Sequence, residues 1–376
     1  MKKINPIISW WVTPKLPVQD VFELPLLMNR SLLAKSVHII SQWLVHPIKR
    51  RLARWYLKIL QRFTNIKVIA VTGSAGKSTT VQIISSILSG SAKTLSTPPS
   101  IDPIYNVPNT ILKCRPGIKY LVLEMSVEYP GEMDYYLWLA RPDVGVITNI
   151  FPTHTEFLGS ADGVLKEKSK LVLSLPKNGT AVLNGEDSRL KSLEGKIKAR
   201  IVWFRGENSD TARSVAKIFG VAENDIESGL KNYIHPKHRL EMIKLKSGAV
   251  VLDDSYNSNP EALLATLKKF NVLAGKNTKI AVLGDMKELG KIEESEHRRA
   301  GREIAKSGFD AVIGVGSLVK FLLDEVVKNS KGTKTFLFPT EEGVISALKP
   351  LLNKRVYVLI KGSRSVGLDK VVSRLV

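Results

Sequence analysis

The sequence predicts an α/β protein: a P-loop central domain with a mostly parallel sheet, then a second α/β domain, behind a short basic helical segment. Three observations carry this. Short, continuous apolar runs alternate with helical patterns, as strands buried on both faces of parallel sheets require. A glycine-bearing turn joins the first such run to an apolar helix. After Pro236 the strand–helix alternation starts afresh, so the boundaries are drawn at 1–66, 67–236 and 237–376.

Residues 1–66 hold eleven lysines and arginines against only Asp20 and Glu23, and four of the six tryptophans: Trp10, Trp11, Trp43 and Trp55. After Pro47, the apolar residues Ile48, Leu52, Trp55, Ile59 and Phe63 recur at helical spacing among Lys49, Arg50, Arg51, Arg54, Lys58 and Arg62. Two readings stand: a basic amphipathic helix at an anionic membrane surface, or a helix packed on the next domain with its charges solvated. No stretch has the roughly 20 apolar residues of a membrane span; Ser36–Ile48 is too short and holds His38, His46 and Pro47. Pro6, Pro14 and Pro17 with Asp20 and Glu23 argue against a secretory signal.

The whole chain of 376 residues carries a formal net charge of +21, which favours anionic partners. Nucleic acid is disfavoured, because no recognition motif accompanies the charge. The lone Cys114 excludes an intrachain disulfide or a thiolate metal cluster, so a reducing cytoplasmic location is expected, peripheral to the membrane if residues 1–66 bind it.

In the central domain, strands are expected at Ile66–Val71, Tyr120–Glu124, Val144–Ile150 and Thr180–Leu183. The first runs into Thr72-Gly-Ser-Ala-Gly-Lys-Ser-Thr-Thr80 and then an apolar helix. Gly73, Ser74, Ala75, Gly76, Lys77, Ser78 and Thr79 form a candidate nucleotide-phosphate cradle of backbone N–H groups at a helix N-terminus. Lys77 is expected to reach the β/γ-phosphates and Ser78 to ligate Mg²⁺. The spacing departs from the common G-x-x-x-x-G-K-[ST] pattern, since Val71 stands five residues before Gly76. Glu124, ending a buried strand, would face the same crevice and bind Mg²⁺. His154 follows the next strand, and Lys168 lies in a lysine-rich helix; on their own both could be structural.

In the second domain a hairpin should pair Leu240–Leu245 with Val250–Asp254, followed by strands at Lys279–Leu283, Ala311–Val315, Thr335–Phe338 and Val356–Ile360 in a Rossmann-like arrangement. Asp254 and Asn257 precede a helix opened by Pro260, a context in which they could simply form its cap. Asp285 could likewise cap the loop after its strand.

Several of these segments together resemble the Mur ligases, and the dipeptide-adding members most of all. They are the phosphate loop, Leu123-Glu-Met125, Ala140-Arg-Pro-Asp-Val144 with Thr148-Asn-Ile150, Ala181-Val-Leu-Asn184, Asp253-Asp-Ser-Tyr-Asn-Ser-Asn-Pro260, Val282-Leu-Gly-Asp-Met286 with Glu288-Leu-Gly290, and Lys361-Gly-Ser-Arg-Ser365. The resemblance covers residue 67 to the C-terminus. It implies an ATP-dependent carboxylate–amine ligase of cell-wall peptide synthesis that works through an acyl phosphate, with two Mg²⁺ ions. It also implies His154 as a Mg²⁺ ligand, Lys168 as a carbamylated lysine that helps hold the second ion, and Asn184 and Asn257 near the base. Arg239 would approach the ATP phosphates, Asp254 would bind the ribose, and Lys361 and Arg364 would face the amine or the acyl phosphate. A hinge is expected near His235-Pro236.

Three departures from the family lie outside the nucleotide chemistry. The family's folded UDP-binding N-terminal domain is replaced by residues 1–66. Its Asn-Asn before Gly-Val-Pro becomes Asp102-Pro103 before Asn106-Val-Pro108, and Gly-Ala-Asn-His becomes Ser126-Val-Glu-Tyr129. The acceptor carboxylate could therefore be a small molecule or a lipid-linked one, with an amino acid or dipeptide as the amine. Competing readings are a poly-γ-glutamate-type or other amino-acid ligase, a P-loop kinase or motor ATPase, and a membrane-associated scaffold with a vestigial nucleotide site.

Overall fold

The computed structural model describes residues 10–11, 31–99 and 101–376. Expectations that fall on residues 1–9, 12–30 and 100 lie outside the described residues. Two compact units are present: the described residues up to Pro152 with Phe157–Ile234, and Thr153–Glu156 with His235–Val376.

The first unit is built on a six-stranded, wholly parallel sheet in the order β2-β3-β1-β4-β5-β6. Its strands are β1 (Lys67–Thr72), β2 (Thr94–Ser96), β3 (Tyr120–Glu124), β4 (Val144–Ile147), β5 (Thr180–Asn184) and β6 (Arg200–Phe204). Both faces of this sheet bury apolar side chains. Ala70, Leu121 and Leu183 join one core and Ile69, Val122 and Val182 the other, as period-2 alternation between two covered faces demands. β2 and β6 were not expected from sequence. β2 has only three residues, all half-buried, and β6 lies at the sheet edge with an exposed Arg200.

The chain turns back at β1, which lies between β3 and β4. The carboxyl ends of these strands therefore open a crevice at a topological switch point, where α/β sheets bind ligands.

The second unit also has six strands, ordered β11-β10-β9-β12-β8-β7. They are β7 (Glu241–Lys244), β8 (Val250–Asp254), β9 (Thr278–Gly284), β10 (Ala311–Val315), β11 (Lys334–Phe338) and β12 (Val356–Lys361). Only the β7–β8 hairpin is antiparallel, and it carries the turn at Ser247-Gly248. The two-domain α/β prediction thus holds, with strand bounds shifted by a few residues at most.

Before β1 the chain is helical from Leu32 to Phe63, with a π-helical turn at Ser41–Val45. Pro47, Arg50, Ala53, Leu57 and Leu60 pack onto the first unit. Ile48, Leu52, Trp55, Ile59 and Phe63 form a separate stripe that stays exposed. This helix therefore packs on the next domain, but with a different face from the apolar stripe read from the sequence. Its charges are not all solvated either: Arg50 is buried, its guanidinium 5.4 Å from the Tyr135 ring centroid. Among the described residues no helix is long and apolar enough to cross a membrane.

Candidate nucleotide site

The phosphate loop is folded and tied down from several sides. Gly73 has φ +146° and a Cβ there would lie 1.9 Å from Thr148 Oγ1, so only glycine fits. Gly76 adopts φ +79° as the N-cap of helix Lys77–Ser91, with Asn208 Oδ1 against it. The loop between them is sewn to the end of β4. Ala75 N–H donates to Asn149 Oδ1 (2.8 Å), Ser74 N–H to the Asn149 carbonyl (3.0 Å), and Thr148 Oγ1 to the Ala75 carbonyl (2.6 Å). Ser74 Oγ donates to the Phe151 carbonyl and accepts from Phe151 N–H. Such fixed backbone leaves little ordering to be done when an anion arrives.

Lys77 Nζ donates to the Gly73 carbonyl across the loop (2.9 Å). Ser78 Oγ donates to Glu124 Oε2 (2.7 Å), and Glu124 N–H is held by Thr97 Oγ1 (2.9 Å). The parallel register that sets Val71 beside Glu124 brings that carboxylate to the helix start. Two hard oxygens this close suit neighbouring positions on an octahedral Mg²⁺, whose adjacent ligands lie about 3 Å apart at bond lengths of about 2.1 Å. The sequence-predicted pair thus fits the ion.

Lys168 is completely buried in helix Ala161–Leu173, with Nζ 3.4 Å from the Val127 carbonyl. Burial, then the nearby Lys77 charge, push its pKa well below the ordinary lysine value, opposed by Glu132, Glu128 and Glu167. A buried amine whose pKa is lowered in this way is not the solvated lysine that a charged helix face suggests. Glu167 accepts N–H bonds from Gly131 and Met133 at the start of helix Glu132–Leu139. Glu132 is itself pushed up to about 7 by burial, although it accepts from Glu128 and Tyr129 N–H.

Asn184, expected near the base, donates to the Thr148 carbonyl and accepts from Glu186 N–H, which fixes the ends of β4 and β5. Thr79 continues the first helical turn.

The segment at Asp102–Tyr105 meets the N-terminal helical segment. Asp102 caps helix Pro103–Lys113 through Ile104 N–H. Burial raises its pKa, opposed in part by that bond and by the Arg50 charge. Tyr105 in the same helix accepts from Gln42 Nε2 and contacts the His46 ring. Residues 42–50 and 102–105 are therefore packing partners.

In the second unit Lys361 Nζ lies 2.6 Å from Asp254 Oδ2, which also accepts from Thr266 Oγ1 (2.7 Å); Lys361 further donates to the Asn257 carbonyl. The expected ribose and amine ligands are thus partnered with each other at adjacent ends of β8 and β12. Neither Asp254 nor Asn257 caps the helix at Pro260; Asn259 does, accepting from Ala262 N–H. Asn257 Oδ1 accepts from Ser258 N–H. Asp285 is a cap, accepting from Ser317, Leu318 and Val319 N–H at the start of helix Val319–Asn329.

Arg239 and Arg364 converge on one ring, their guanidinium carbons 4.1 and 5.6 Å from the Tyr256 centroid. His154 belongs to this unit, with Nδ1 2.5 Å from Glu288 Oε2. The bond from His154 holds the Glu288 carboxyl below the usual range. A carboxylate on one ring nitrogen leaves Nε2 for an ion, the usual way a ligating histidine is oriented.

Sequence reasoning did not single out Asn149, Thr148, Asn208, Tyr256 or Glu288. Asn149, Thr148, Tyr256 and Glu288 sat within quoted motifs, which was the available signal. Asn208 and Tyr256 reach their partners only through the fold.

Comparison with known proteins gives a consistent picture. The family model described as the Mur ligase middle domain matches residues 71–251, and that described as the Mur ligase glutamate ligase domain matches 238–364. A UDP-N-acetylmuramoyl-tripeptide–D-alanyl-D-alanine ligase of Bacillus subtilis is 28% identical, over 87% of this chain and 79% of the relative. A crystal structure of MurF from Acinetobacter baumannii is 26% identical with a TM-score of 0.78, covering 88% of this chain and 80% of that one. A MurF ligase from Thermotoga maritima in complex with ADP shares the fold, at 24% identity and TM-score 0.76, over 88% and 83% of the two chains.

Proposed function

The chain belongs to the Mur ligase family, and from that premise we propose that it is a D-Ala-D-Ala-adding ligase of peptidoglycan synthesis that works through an acyl phosphate. Its standing as an ATP-dependent ligase rests on the family and its relatives. The observation that carries the site assignment is the phosphate loop tied to Asn149, with Ser78 and Glu124 2.7 Å apart beside it.

In this reading the N–H groups at the start of helix Lys77–Ser91, with Lys77, hold the β/γ-phosphates and draw off negative charge as the γ-phosphoryl passes to a substrate carboxylate oxygen; those of Ser74 and Ala75 are already bonded to Asn149. ADP leaves, and an acyl phosphate remains. The amine then attacks the acyl carbon, loses a proton, and the tetrahedral intermediate expels inorganic phosphate to leave an amide. Ser78 and Glu124 would hold Mg²⁺, which would neutralise phosphate charge, and His154 is assigned the role of a metal ligand. The buried Lys168 amine, its pKa lowered by that burial, is suited to adding CO₂ with loss of a proton, which would turn it into a carboxylate ligand for a second ion. Arg239 and Arg364, splayed around Tyr256, supply guanidinium charge for anionic substrate groups. Asp254 and Asn257 are assigned to the nucleoside, and Lys361 to holding Asp254 as well as to the amine side.

A second reading is favoured by one observation: residues 102–105, on the side where the acceptor is expected, pack against the basic N-terminal helical segment. It is an amino-acid ligase of the same superfamily, of the poly-γ-glutamate type, acting on a non-UDP, lipid-linked acceptor at the membrane.

The test is phosphate release from Mg-ATP with UDP-MurNAc-tripeptide and D-Ala-D-Ala, products identified by mass and the acceptor carboxylate labelled with oxygen-18. The proposal expects amine-dependent turnover and one labelled oxygen in the released phosphate. Unlabelled phosphate rules out the acyl phosphate. Turnover with glutamate but not D-Ala-D-Ala selects the second reading, and transfer to a hydroxyl without any amine makes the protein a kinase.

A further inference from the structure

The N-terminal helix has two apolar faces, and only one is used for packing. At about 100° per residue, Pro47, Arg50, Ala53, Leu57 and Leu60 centre on one side of helix His46–Phe63, and all are buried. Ile48, Leu52, Trp55, Ile59 and Phe63 fall within an arc of about 80° on the opposite side. That stripe is bare: Leu52 is 56% exposed, Trp55 68% and Phe63 75%. The preceding turns extend it, since Leu33, Val37, Ile40 and Leu44 are exposed as well. Among the described residues, this helix, apolar on the side away from its core, has no partner for that side.

Charge indicates what the partner is. Lys58 and Arg62, both exposed, and Arg51 run along one flank of the stripe, with Lys49 on the other. Arg51 is clasped between the Trp10 and Trp11 rings, 4.7 Å from each, and donates to both of their carbonyls. This pins a tryptophan pair on the Arg51 flank, where Trp11 Nε1 also donates to the Trp43 carbonyl (2.8 Å). No aspartate or glutamate occurs between Glu23 and Asp102. A second copy of this chain would bring the same cations to the contact, which disfavours self-association through the stripe. An anionic lipid surface offers an apolar layer for the stripe, phosphates for the flanking cations and an interface where tryptophan is favoured.

We propose that the face of helix His46–Phe63 bearing Ile48, Leu52, Trp55, Ile59 and Phe63 docks the protein on an anionic membrane surface, lying in the interface without crossing it. Because the opposite face is bolted to the nucleotide-binding unit, docking fixes that unit against the bilayer. The proposal is independent of which acceptor the enzyme uses.

The experiment is co-sedimentation of the full chain with phosphatidylglycerol/phosphatidylcholine vesicles and with phosphatidylcholine vesicles alone. Leu52→Glu/Ile59→Glu is compared with the parent for binding, thermal unfolding and sedimentation velocity. The expected result is binding to the anionic vesicles only, reduced about tenfold or more in the variant at unchanged unfolding temperature. Moderate salt should weaken binding without abolishing it. Absence of binding by the parent overturns the proposal, as does equal binding by parent and variant or equal binding to neutral vesicles. A dimer in the parent that the variant loses would show that the stripe covers itself instead.

Discussion

Gly73→Ala puts the strongest demand on the phosphate loop. The new Cβ would sit 1.9 Å from Thr148 Oγ1 and 3.1 Å from Thr148 Cβ and N, at a backbone φ of +146°. The unfavourable φ costs about 1–3 kcal/mol, and forcing a methyl into a filled site about 1–3 kcal/mol more. A single-variant loss of about 2–6 kcal/mol follows, or roughly 4–24 °C in the unfolding of a unit this size. Thr148→Ala alone removes the 2.6 Å bond to the Ala75 carbonyl and should cost about 1 kcal/mol. Because the nearest clashing atom is the one Thr148→Ala deletes, the double variant should be less destabilised than the sum, by about 1–2 kcal/mol. Nucleotide affinity should fall in both Gly73 variants, since the φ strain persists and displaces the N–H groups that face the phosphates. Thermal unfolding and ATP titration of the four proteins read out both effects. Strict additivity, or a Gly73→Ala protein with parental stability and affinity, would refute the geometry.

Three further outcomes follow from other parts of the molecule. Glu132 has a carboxyl pKa raised from 4.5 to about 7 by burial, so the folded state binds the extra proton between those values. Its stabilising contribution is full below pH 4.5 and is lost as pH rises through 7, about 3 kcal/mol in all; Glu132→Gln should flatten urea-unfolding free energies over that window. Leu57→Ala, in the buried face of the N-terminal helix, should cost about 2–5 kcal/mol by differential scanning calorimetry, and Leu52→Ala on the bare face no more than about 0.5 kcal/mol. Lys361→Met breaks the buried 2.6 Å pair with Asp254 and should cost about 3–5 kcal/mol; a smaller loss, measured by chemical denaturation, would mean that Asp254 is solvated without its partner.

What the sequence determined by itself was whatever depends on neighbours along the chain. Apolar runs marked four strands of the first sheet and all six of the second, because burial on two faces leaves a local imprint in β1, β3, β9 and β12. A strand, two glycines and Lys77-Ser78 before a helix marked the phosphate loop for the same reason. Ser78 and Glu124 could be paired in advance because strand ends share one edge of a parallel sheet.

Only the tertiary structure decided which partner each polar group takes. Asp254 looked like a cap or a ribose ligand, yet Lys361, 107 residues on, claims it. Asp285 caps a helix more than thirty residues later. Lys168 has the local look of a solvated lysine and is buried, because helix Ala161–Leu173 turns that side inward. The N-terminal helix carries two apolar stripes, and helical periodicity alone cannot tell which one meets the core. Hydrophobic burial is non-directional along a sequence, so the choice falls to the shape of the surface that receives the helix.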